Sequence, residues 1–421
     1  MKKLSRVAIV VVFFFATAFS GCVDASENGL SAELNKQAIR SALKEVADWQ
    51  LSRFNQESNL FEGYDEDAHM GPTNGDSHPQ GWVYAAFHVG MARWAKLSAS
   101  LGNDQYLQWQ YDVAKRNKYL FSPRIYNADD YAIGQLYLDL YEVYQEPQML
   151  VPLKVIFEII LNTPSTVDLR YDFVTQISEE TGERFKESYG GRGFTIAPCK
   201  NRWCWADALF MGPPVWIHLA KITGDQRYLD FADKELWETV DLLWDADDHL
   251  FFRDTRFYDR REENGEKVIW ARGVGWVAAG LARILEQLPD DHARRSDYED
   301  IFSKMMTRLA AAQQDDGLWR PSVLAPASKP FKETSGTALI SFALASGINQ
   351  GILDRKEFLP VVERSWQALI DAIQPDGKLG WVQQIGEAPD NVSADDSQLY
   401  AVGGFLLIGT ELYKLVDISA D

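Results

Sequence analysis

Hydrophobic positions along this chain recur with the period of a helix, and short polar turns separate the helical stretches. Very apolar stretches, such as QGWVYAAFHVGMARWA and SGTALISFALASGI, alternate with amphipathic ones, such as DKELWETVDLLWD. The apolar stretches are rich in Gly, Ala and Ser, which suits tight burial. The pattern predicts about twelve helices, at roughly 31–54, 80–100, 104–119, 129–145, 147–161, 205–222, 226–243, 274–287, 296–313, 333–349, 356–374 and 396–415.

Six buried helices that alternate with six half-exposed ones predict an all-α protein, an (α/α)6 barrel with an apolar inner ring and an amphipathic outer ring. An open helical solenoid is the alternative. Strand signals are sparse: 249–259 and 268–273, joined by the NGEK turn at 264–267, are typical of a β-hairpin. The long irregular segment 162–203 is expected at the mouth of a pocket.

The first residues, MKKLSRVAIVVVFFFATAFSGC, have the anatomy of an export signal: a basic start and an apolar run too short to span a bilayer comfortably. The run ends in FSGC, which is similar to a bacterial lipoprotein box. We predict that 1–21 is removed and that Cys22 receives lipid, which tethers the protein to a bacterial membrane. Ordinary cleavage with an unmodified Cys22 is the alternative. A short tether, 22–30, then precedes a single barrel domain, 31–421.

The chain is strongly acidic, with a formal net charge of -19. Removal of 1–21 takes away three positive and no negative charges, which makes the net charge -22. Such a surface repels nucleic acid, and an anionic substrate must be attracted by a few local cations. In an exported chain Cys199 and Cys204 form a candidate pair, and the sequence leaves open whether they make a disulfide.

The sequence contains no metal-binding motif, no glycine-rich phosphate loop and no nucleophile elbow. Its six histidines are scattered, so we predict neither a metal nor another cofactor. The remaining candidates for chemistry are carboxylates that lie among aromatic residues. The 14 tryptophans fit a carbohydrate pocket, because a sugar ring stacks on a flat indole.

Asp207 is the strongest candidate, since it is surrounded by tryptophans in NRWCWADALFMGPPVW. Pro213 and Pro214 cannot donate to carbonyls one turn back, so the helix is expected to kink near Gly212 and present Asp207 to a cavity. Desolvation by aromatic neighbours raises the pKa of a carboxyl, which suits a general acid. A buried aspartate bonded to backbone is the alternative.

Two further segments carry candidate site residues. Asp129 and Asp130 open the predicted helix NADDYAIGQLYLDLY, where a carboxylate caps the helix and also faces a ligand at the barrel end. In WARGVGW, Arg272 is a fixed cation for a carboxylate ligand, and Trp270 and Trp276 are flat surfaces for a sugar ring. An arginine that caps its own helix beside core tryptophans is the alternative for this segment.

Five motifs occur in order along the chain: NADDYAIGQLYLDLYE, RWCWADALFMGPPVW, WARGVGW, KETSGTALISFALASGIN and YAVGGFLLIGTELYKL. They belong to a likeness that extends from about residue 80 to the end of the chain. Together they resemble the unsaturated uronyl hydrolases of glycoside hydrolase family 105. The resemblance implies an (α/α)6 barrel that removes the 4,5-unsaturated uronic acid from the non-reducing end of lyase-made oligosaccharides, of rhamnogalacturonan or ulvan type. It implies hydration of a vinyl ether without a cofactor, unlike ordinary glycosidases that act at the anomeric carbon.

The resemblance also implies roles for individual residues. Asp207 matches the general acid and base, which protonates C4 and then takes a proton from the water that adds at C5. Asp129 matches a second active-site aspartate, and Asp130 its structural neighbour. Six further residues match pocket positions: Arg272, Trp270, Trp276, Trp205, Met211 and His78.

Two other classes of function compete with this interpretation. Another (α/α)6 carbohydrate enzyme would need either a second acid placed for anomeric chemistry or, for an epimerase, a pair of histidines. A non-catalytic, lipid-anchored glycan-binding protein would keep the tryptophans but would have no need of a desolvated acid.

Overall fold

The computed structural model describes residues 28–63, 78–122, 124–170, 175–177, 184–186 and 198–417. The helices in these residues are α1 (Lys36–Ser52), α2 (Trp82–Ser100), α3 (Gln105–Arg116), α4 (Ala128–Tyr131), α5 (Gly134–Tyr144), α6 (Val151–Asn162), α7 (Ala208–Met211), α8 (Pro213–Thr223), α9 (Gln226–Leu243), α10 (Ala271–Gln287), α11 (Arg295–Ala312), α12 (Thr334–Asn349), α13 (Arg355–Asp371) and α14 (Leu399–Asp417). The strands are β1 (Phe54–Asn55), β2 (Leu60–Phe61), β3 (Thr175–Ile177), β4 (Arg184–Lys186), β5 (Trp244–Asp245) and β6 (Leu250–Phe251), paired as three short antiparallel hairpins. The predicted signal, Cys22 and much of the predicted mouth segment 162–203 lie outside the described residues.

Six helices form a closed inner ring. In order around the ring they are α2, α5, α8, α10, α12 and α14, and α14 packs back against α2. Closure of the ring excludes the open solenoid and confirms the predicted (α/α)6 barrel. Glycines permit the closing contact, since a Cβ on Gly90 of α2 would lie 2.0 Å from the carbonyl oxygen of Gly403 in α14.

The remaining long helices form the outer layer. Helices α1, α3, α9, α11 and α13 pack against α14, α2, α8, α10 and α12, while α6 packs against α9 and the 3-10 turn Pro147–Met149. The difference in sequence pattern explains the two layers. Every residue of α12 from Thr334 to Ile348 is buried, whereas α9 buries one stripe that includes Leu229, Leu236 and Leu243. Helix α14 is apolar and long enough to cross a bilayer, but 89% of that stretch is buried in the ring.

Two inner helices are broken near their N-termini. The predicted helix 205–222 consists of α7 and α8, which are separated by Gly212 with φ -94° and ψ -71°. This break confirms the kink predicted from Pro213 and Pro214. The predicted helix 129–145 is also divided, into α4 and α5, although no proline marks that break. Both breaks lie at the end of the barrel where the inner helices begin.

The predicted hairpin between 249–259 and 268–273 is wrong in its pairing. Strand β6 pairs with β5, at the end of α9, and Trp270 forms a single bridge with Ser322. The predicted turn itself is present: Gly265 has φ +87°, and Arg261 and Lys267 form one antiparallel bridge beside it. Because α10 begins at Ala271, the chain after this turn enters the inner ring instead of continuing a strand.

Candidate active site

The two candidate aspartates lie on neighbouring elements at the open end of the ring. The short helix α4, which contains Asp129, packs against α7, which follows Asp207. The indole of Trp203 donates a hydrogen bond to the hydroxyl of Tyr131, which ties the chain leading into Asp207 to α4. Asp129 is half-buried, and Asn127 caps its helix by accepting the backbone N–H of Asp129 at 3.2 Å.

The carboxyl of Asp207 is desolvated and unevenly bonded. The residue is only 9% exposed, and its Oδ2 accepts a hydrogen bond from Nε of Arg253 at 3.0 Å. Its Oδ1 is buried and has no hydrogen-bond partner among the described residues. Burial raises the pKa of Asp207, and the charges of Arg253 and Arg272 offset this only in part. Asp207 is therefore suited to hold a proton on Oδ1 and to transfer it.

Arg253 is a site residue that the sequence pattern does not reveal. It follows β6, and its guanidinium lies over the ring of Trp205 at 4.3 Å. Its carbonyl accepts the N–H of Ala206 at 2.8 Å, so its backbone also holds the chain just before Asp207. The local signal was an arginine after an apolar pair in HLFFRDTR. That signal does not reveal the partner, which lies 46 residues earlier in the chain.

A row of alternating charges continues from Arg253 toward the surface. Nη1 of Arg253 donates to Asp254 at 2.7 Å, and Arg256 bridges Asp254 and Glu387, each at 2.7 Å. Burial alone would raise the pKa of Asp254, but the bonds and charges of its two arginines hold it below the ordinary value. The environments thus push the pKa values of two nearby carboxyls apart: that of Asp254 lies below its ordinary value and that of Asp207 above it.

Arg272 is placed inside the wall of the site. It is 1% exposed, and its two terminal nitrogens donate to the carbonyls of Gln383 at 2.6 Å and Gln384 at 2.8 Å. Its guanidinium lies over the rings of Trp270 and Tyr400, at 4.4 and 4.9 Å. Among the described residues no carboxylate forms an ion pair with Arg272. Its positive charge therefore acts on the site, as its effect on the pKa of Asp207 indicates.

The burial of Trp270 and Trp276 contradicts the prediction that they are flat surfaces for a sugar ring. The indole of Trp270 donates to Gln383 at 2.9 Å, and the residue is 3% exposed. Trp276 is 2% exposed and packs edge-on against Trp82 and Tyr400. Neither leaves a face open for a sugar ring, so both belong to the wall behind Arg272. The sequence specifies flat side chains but not which of their faces the fold covers.

The other predicted positions are divided between wall and rim. Met211 is buried in α7, whereas Trp205 is half-buried beside Arg253. His78 is half-buried, and its Nε2 lies 2.6 Å from the Ser122 hydroxyl. Burial lowers the pKa of His78, which keeps the ring neutral at neutral pH.

Two structural features support the site from outside it. Asp130 is buried and accepts the N–H of Arg124 at 2.8 Å and its side-chain Nε at 3.0 Å, which agrees with the structural role expected for Asp130. Cys199 and Cys204 form a disulfide with a Cα–Cα distance of 4.8 Å, which resolves the question left open by the sequence. The disulfide braces the chain immediately before Trp205.

A polar cleft of about 350 Å³ lies at the same end of the barrel, between the ends of α1 and α14. Trp49, Arg53, Lys378, Gln384 and Gln398 are among its lining residues. Asp207 is not one of its lining residues. It shares Gln384 with the site, since the carbonyl of this residue accepts a hydrogen bond from Arg272.

A closed helical barrel with a desolvated acid at its open end is the arrangement expected of an enzyme that uses proton transfer. The chain matches Glycosyl Hydrolase Family 88 over residues 42–416, and it belongs to that family. It is 36% identical over 381 residues to the unsaturated 3S-rhamnoglycuronyl hydrolase of Alteromonas sp. (strain LOR). The aligned region covers 89% of this chain and 87% of the Alteromonas protein. The resemblance to unsaturated uronyl hydrolases is confirmed, although the matching family carries the number 88 where the motifs resembled family 105.

Two solved structures share the fold over nearly their whole length. A glycosyl hydrolase family 88 protein from Bacteroides vulgatus is 26% identical with a TM-score of 0.71, covering 90% of this chain and 99% of that one. A protein described as a polysaccharide lyase is 27% identical with a TM-score of 0.72, covering 91% and 98%.

Proposed function

We propose that this protein removes the 4,5-unsaturated uronic acid from the non-reducing end of oligosaccharides that polysaccharide lyases produce. The observation that carries the proposal is the carboxyl of Asp207, whose pKa is raised by burial and whose Oδ1 has no partner in the described chain. Membership of a glycosyl hydrolase family supports it, as does the name of the Alteromonas relative. From that name we infer an unsaturated rhamnoglycuronyl oligosaccharide as the substrate.

The two oxygens of Asp207 have separate tasks in the reaction. Oδ1 delivers its proton to C4 of the unsaturated sugar, which leaves a cation at C5 that the ring oxygen stabilises. Water adds at C5 and gives up a proton to the carboxylate of Asp207, which restores the acid. The hemiketal then opens to a ketone at C5 and leaves a hemiacetal at C1. This hemiacetal breaks down to an aldehyde and releases the remaining oligosaccharide as an alcohol. Between these steps Arg253 pairs with the ionised carboxyl through Oδ2.

The remaining charges of the site suit an anionic substrate. Arg253 and Arg272 are buried cations beside Asp207 in a chain of net charge -19, so they supply local attraction for the uronate against the overall field. Arg272 acts through its charge, since its terminal nitrogens are bound to carbonyls. We infer that Asp129 on α4 holds a sugar hydroxyl or the attacking water.

One assay tests the proposal, because the unsaturated sugar absorbs in the near ultraviolet. We expect the wild type to remove this absorbance, and Asp207→Asn to remove it hardly at all. Asp233→Asn is the matched control, since Asp233 lies on outer helix α9 and its partners in the described chain are Tyr298, at 3.0 Å, His292 and Arg294. Increasing absorbance from intact polymer would identify a lyase instead. Unchanged absorbance with every unsaturated substrate would favour a glycan-binding protein.

We also propose that the protein is exported and held on a bacterial membrane by lipid at Cys22. The basic and apolar pattern of the first residues supports this location. The side chain of Asn28 donates to the carbonyls of Ile370 and Ile373 at 2.9 and 2.7 Å, so the described chain begins beside the end of α13. That end belongs to the open end of the barrel.

A further inference from the structure

We propose that Gln135 and Arg283 are positioning residues that hold the turn presenting Asp207. The inference rests on the proposed function, in which Asp207 is the proton donor. The break between α7 and α8 leaves backbone carbonyls near Asp207 without helical partners.

Two prolines deprive the turn of ordinary helix bonds. In a continuous helix the N–H of each residue binds the carbonyl four residues earlier. Pro213 and Pro214 have no N–H, so the carbonyls of Leu209 and Phe210 receive no donor from them. Both carbonyls lie within three residues of Asp207. A buried carbonyl without a partner is costly, so the rest of the barrel must support this turn.

Gln135 replaces the missing donor for Phe210. It is the second residue of α5, it is 1% exposed, and its Nε2 donates to the Phe210 carbonyl at 2.9 Å. Its Oε1 accepts Nε of Arg283 in α10 at 2.7 Å, and Arg283 is 4% exposed. The guanidinium has no acceptor, so it forces the amide to turn its NH2 group toward Phe210. Two inner helices, α5 and α10, thus support the turn through a series of hydrogen-bonded side chains.

Gly280 allows the backbone of α10 to approach the neighbouring carbonyl of Leu209 closely. A Cβ at Gly280 of α10 would lie 2.3 Å from the carbonyl oxygen of Leu209 and 3.0 Å from Cα of Phe210. The backbone of α10 therefore lies directly against the turn. Gln135 in α5 binds the Phe210 carbonyl, and the α10 backbone at Gly280 lies against the Leu209 carbonyl, so two helices restrict the movement of the turn.

The position of this turn determines where the acid lies. The N–H of Phe210 donates to the carbonyl of Asp207 at 3.1 Å, so a shift of Phe210 is passed to Asp207. The contact of Asp207 with Arg253, at 3.0 Å, would change with it. A misplacement of about 1 Å costs a proton-transfer catalyst up to about 100-fold in rate.

Gln135→Glu tests the inference at constant side-chain size. A carboxylate keeps the bond to Arg283 but has no N–H for the Phe210 carbonyl. We expect kcat on unsaturated oligosaccharides to fall about 10- to 100-fold, while KM changes less than about threefold. The matched control is Gln313→Glu, because Gln313 makes the same arrangement in the outer layer: Nε2 to the Val361 carbonyl at 2.9 Å and Oε1 from Arg364 at 2.6 Å. The control should keep wild-type kcat.

A second variant reaches the same turn from the other side. Gly280→Ala should lower kcat in the same way, whereas Gly90→Ala, which creates a similar clash between α2 and α14, should lower the melting temperature only. Equal kcat in Gln135→Glu and Gln313→Glu would overturn the inference. If the wild type itself is inactive, the proposed function fails, and crystal structures of the wild type and of Gln135→Glu then test the positioning role. An unchanged contact between Asp207 and Arg253 in Gln135→Glu would refute the positioning role.

Discussion

Replacing Arg253 by glutamine should move the alkaline limit of activity to higher pH. The reaction begins with protonated Asp207, so activity falls as the pH rises through the pKa of this carboxyl. Burial raises that pKa, and the Arg253 cation opposes the rise. Glutamine keeps an N–H donor but removes the positive charge. The neutral form of Asp207 is then favoured further, and its pKa rises.

The structure bounds the size of this shift. Nε of Arg253 lies 3.0 Å from Oδ2 of Asp207. Two unit charges about 4 Å apart interact by about 4 kcal/mol at an effective dielectric of about 20. An opposite charge this close typically lowers the pKa of an aspartate by about 1–3 units. Since the charge of Arg272 remains in the variant, we expect an increase of at least about one unit.

The assay is the pH dependence of kcat/KM, followed by loss of near-ultraviolet absorbance. Arg253→Lys is the control, because lysine keeps the charge and should leave the alkaline limb within about half a unit of the wild type. Circular dichroism and the melting temperature show whether each variant is folded. An alkaline limb that stays in place, or moves to lower pH, in folded Arg253→Gln would refute the assigned electrostatics.

Three further predictions test other parts of the molecule. Asp129→Asn should lower kcat at least about 100-fold without loss of folding, measured by the same absorbance assay; a wild-type rate would remove Asp129 from the site. His88 is buried, with its pKa lowered to about 4 by desolvation. The unfolded chain therefore binds a proton first as the pH falls, and about 3 kcal/mol of stability should be lost between pH 7 and pH 4. Urea unfolding should show a smaller loss in His88→Gln. Cys22→Ala should move the expressed protein from the detergent phase to the aqueous phase; equal partition would exclude the lipid anchor.

The helix positions were predictable because helical periodicity and capping are local. Helix α9 was expected at 226–243 and is found at Gln226–Leu243, with Asp225 as its cap and Gly224 in the left-handed region before it. The break at Gly212 was predictable from two prolines. The break before Gly134 was not, because no residue there forbids a continuous helix. The failed hairpin shows the same limit, since strand pairing depends on partners elsewhere in the chain.

The site was predictable only where its environment is local. Tryptophans next to Asp207 indicated desolvation, and the structure buries this carboxyl. Arg253 lies 46 residues away, so no spacing pattern linked the two. Trp276 was expected to face a sugar, but aromatic neighbours from other helices enclose it.

The chain alone specifies twelve helical segments, a proline break and an acid among tryptophans, since these follow from backbone sterics and from neighbours in sequence. The tertiary fold determines the contacts between residues that lie far apart in the sequence. It joins α14 to α2, brings Arg253 against Asp207, and sets Gln135 under the carbonyl that Pro214 leaves free. Hydrogen bonds and charges act through space over a few ångströms, and only the folded barrel determines which residues come that close.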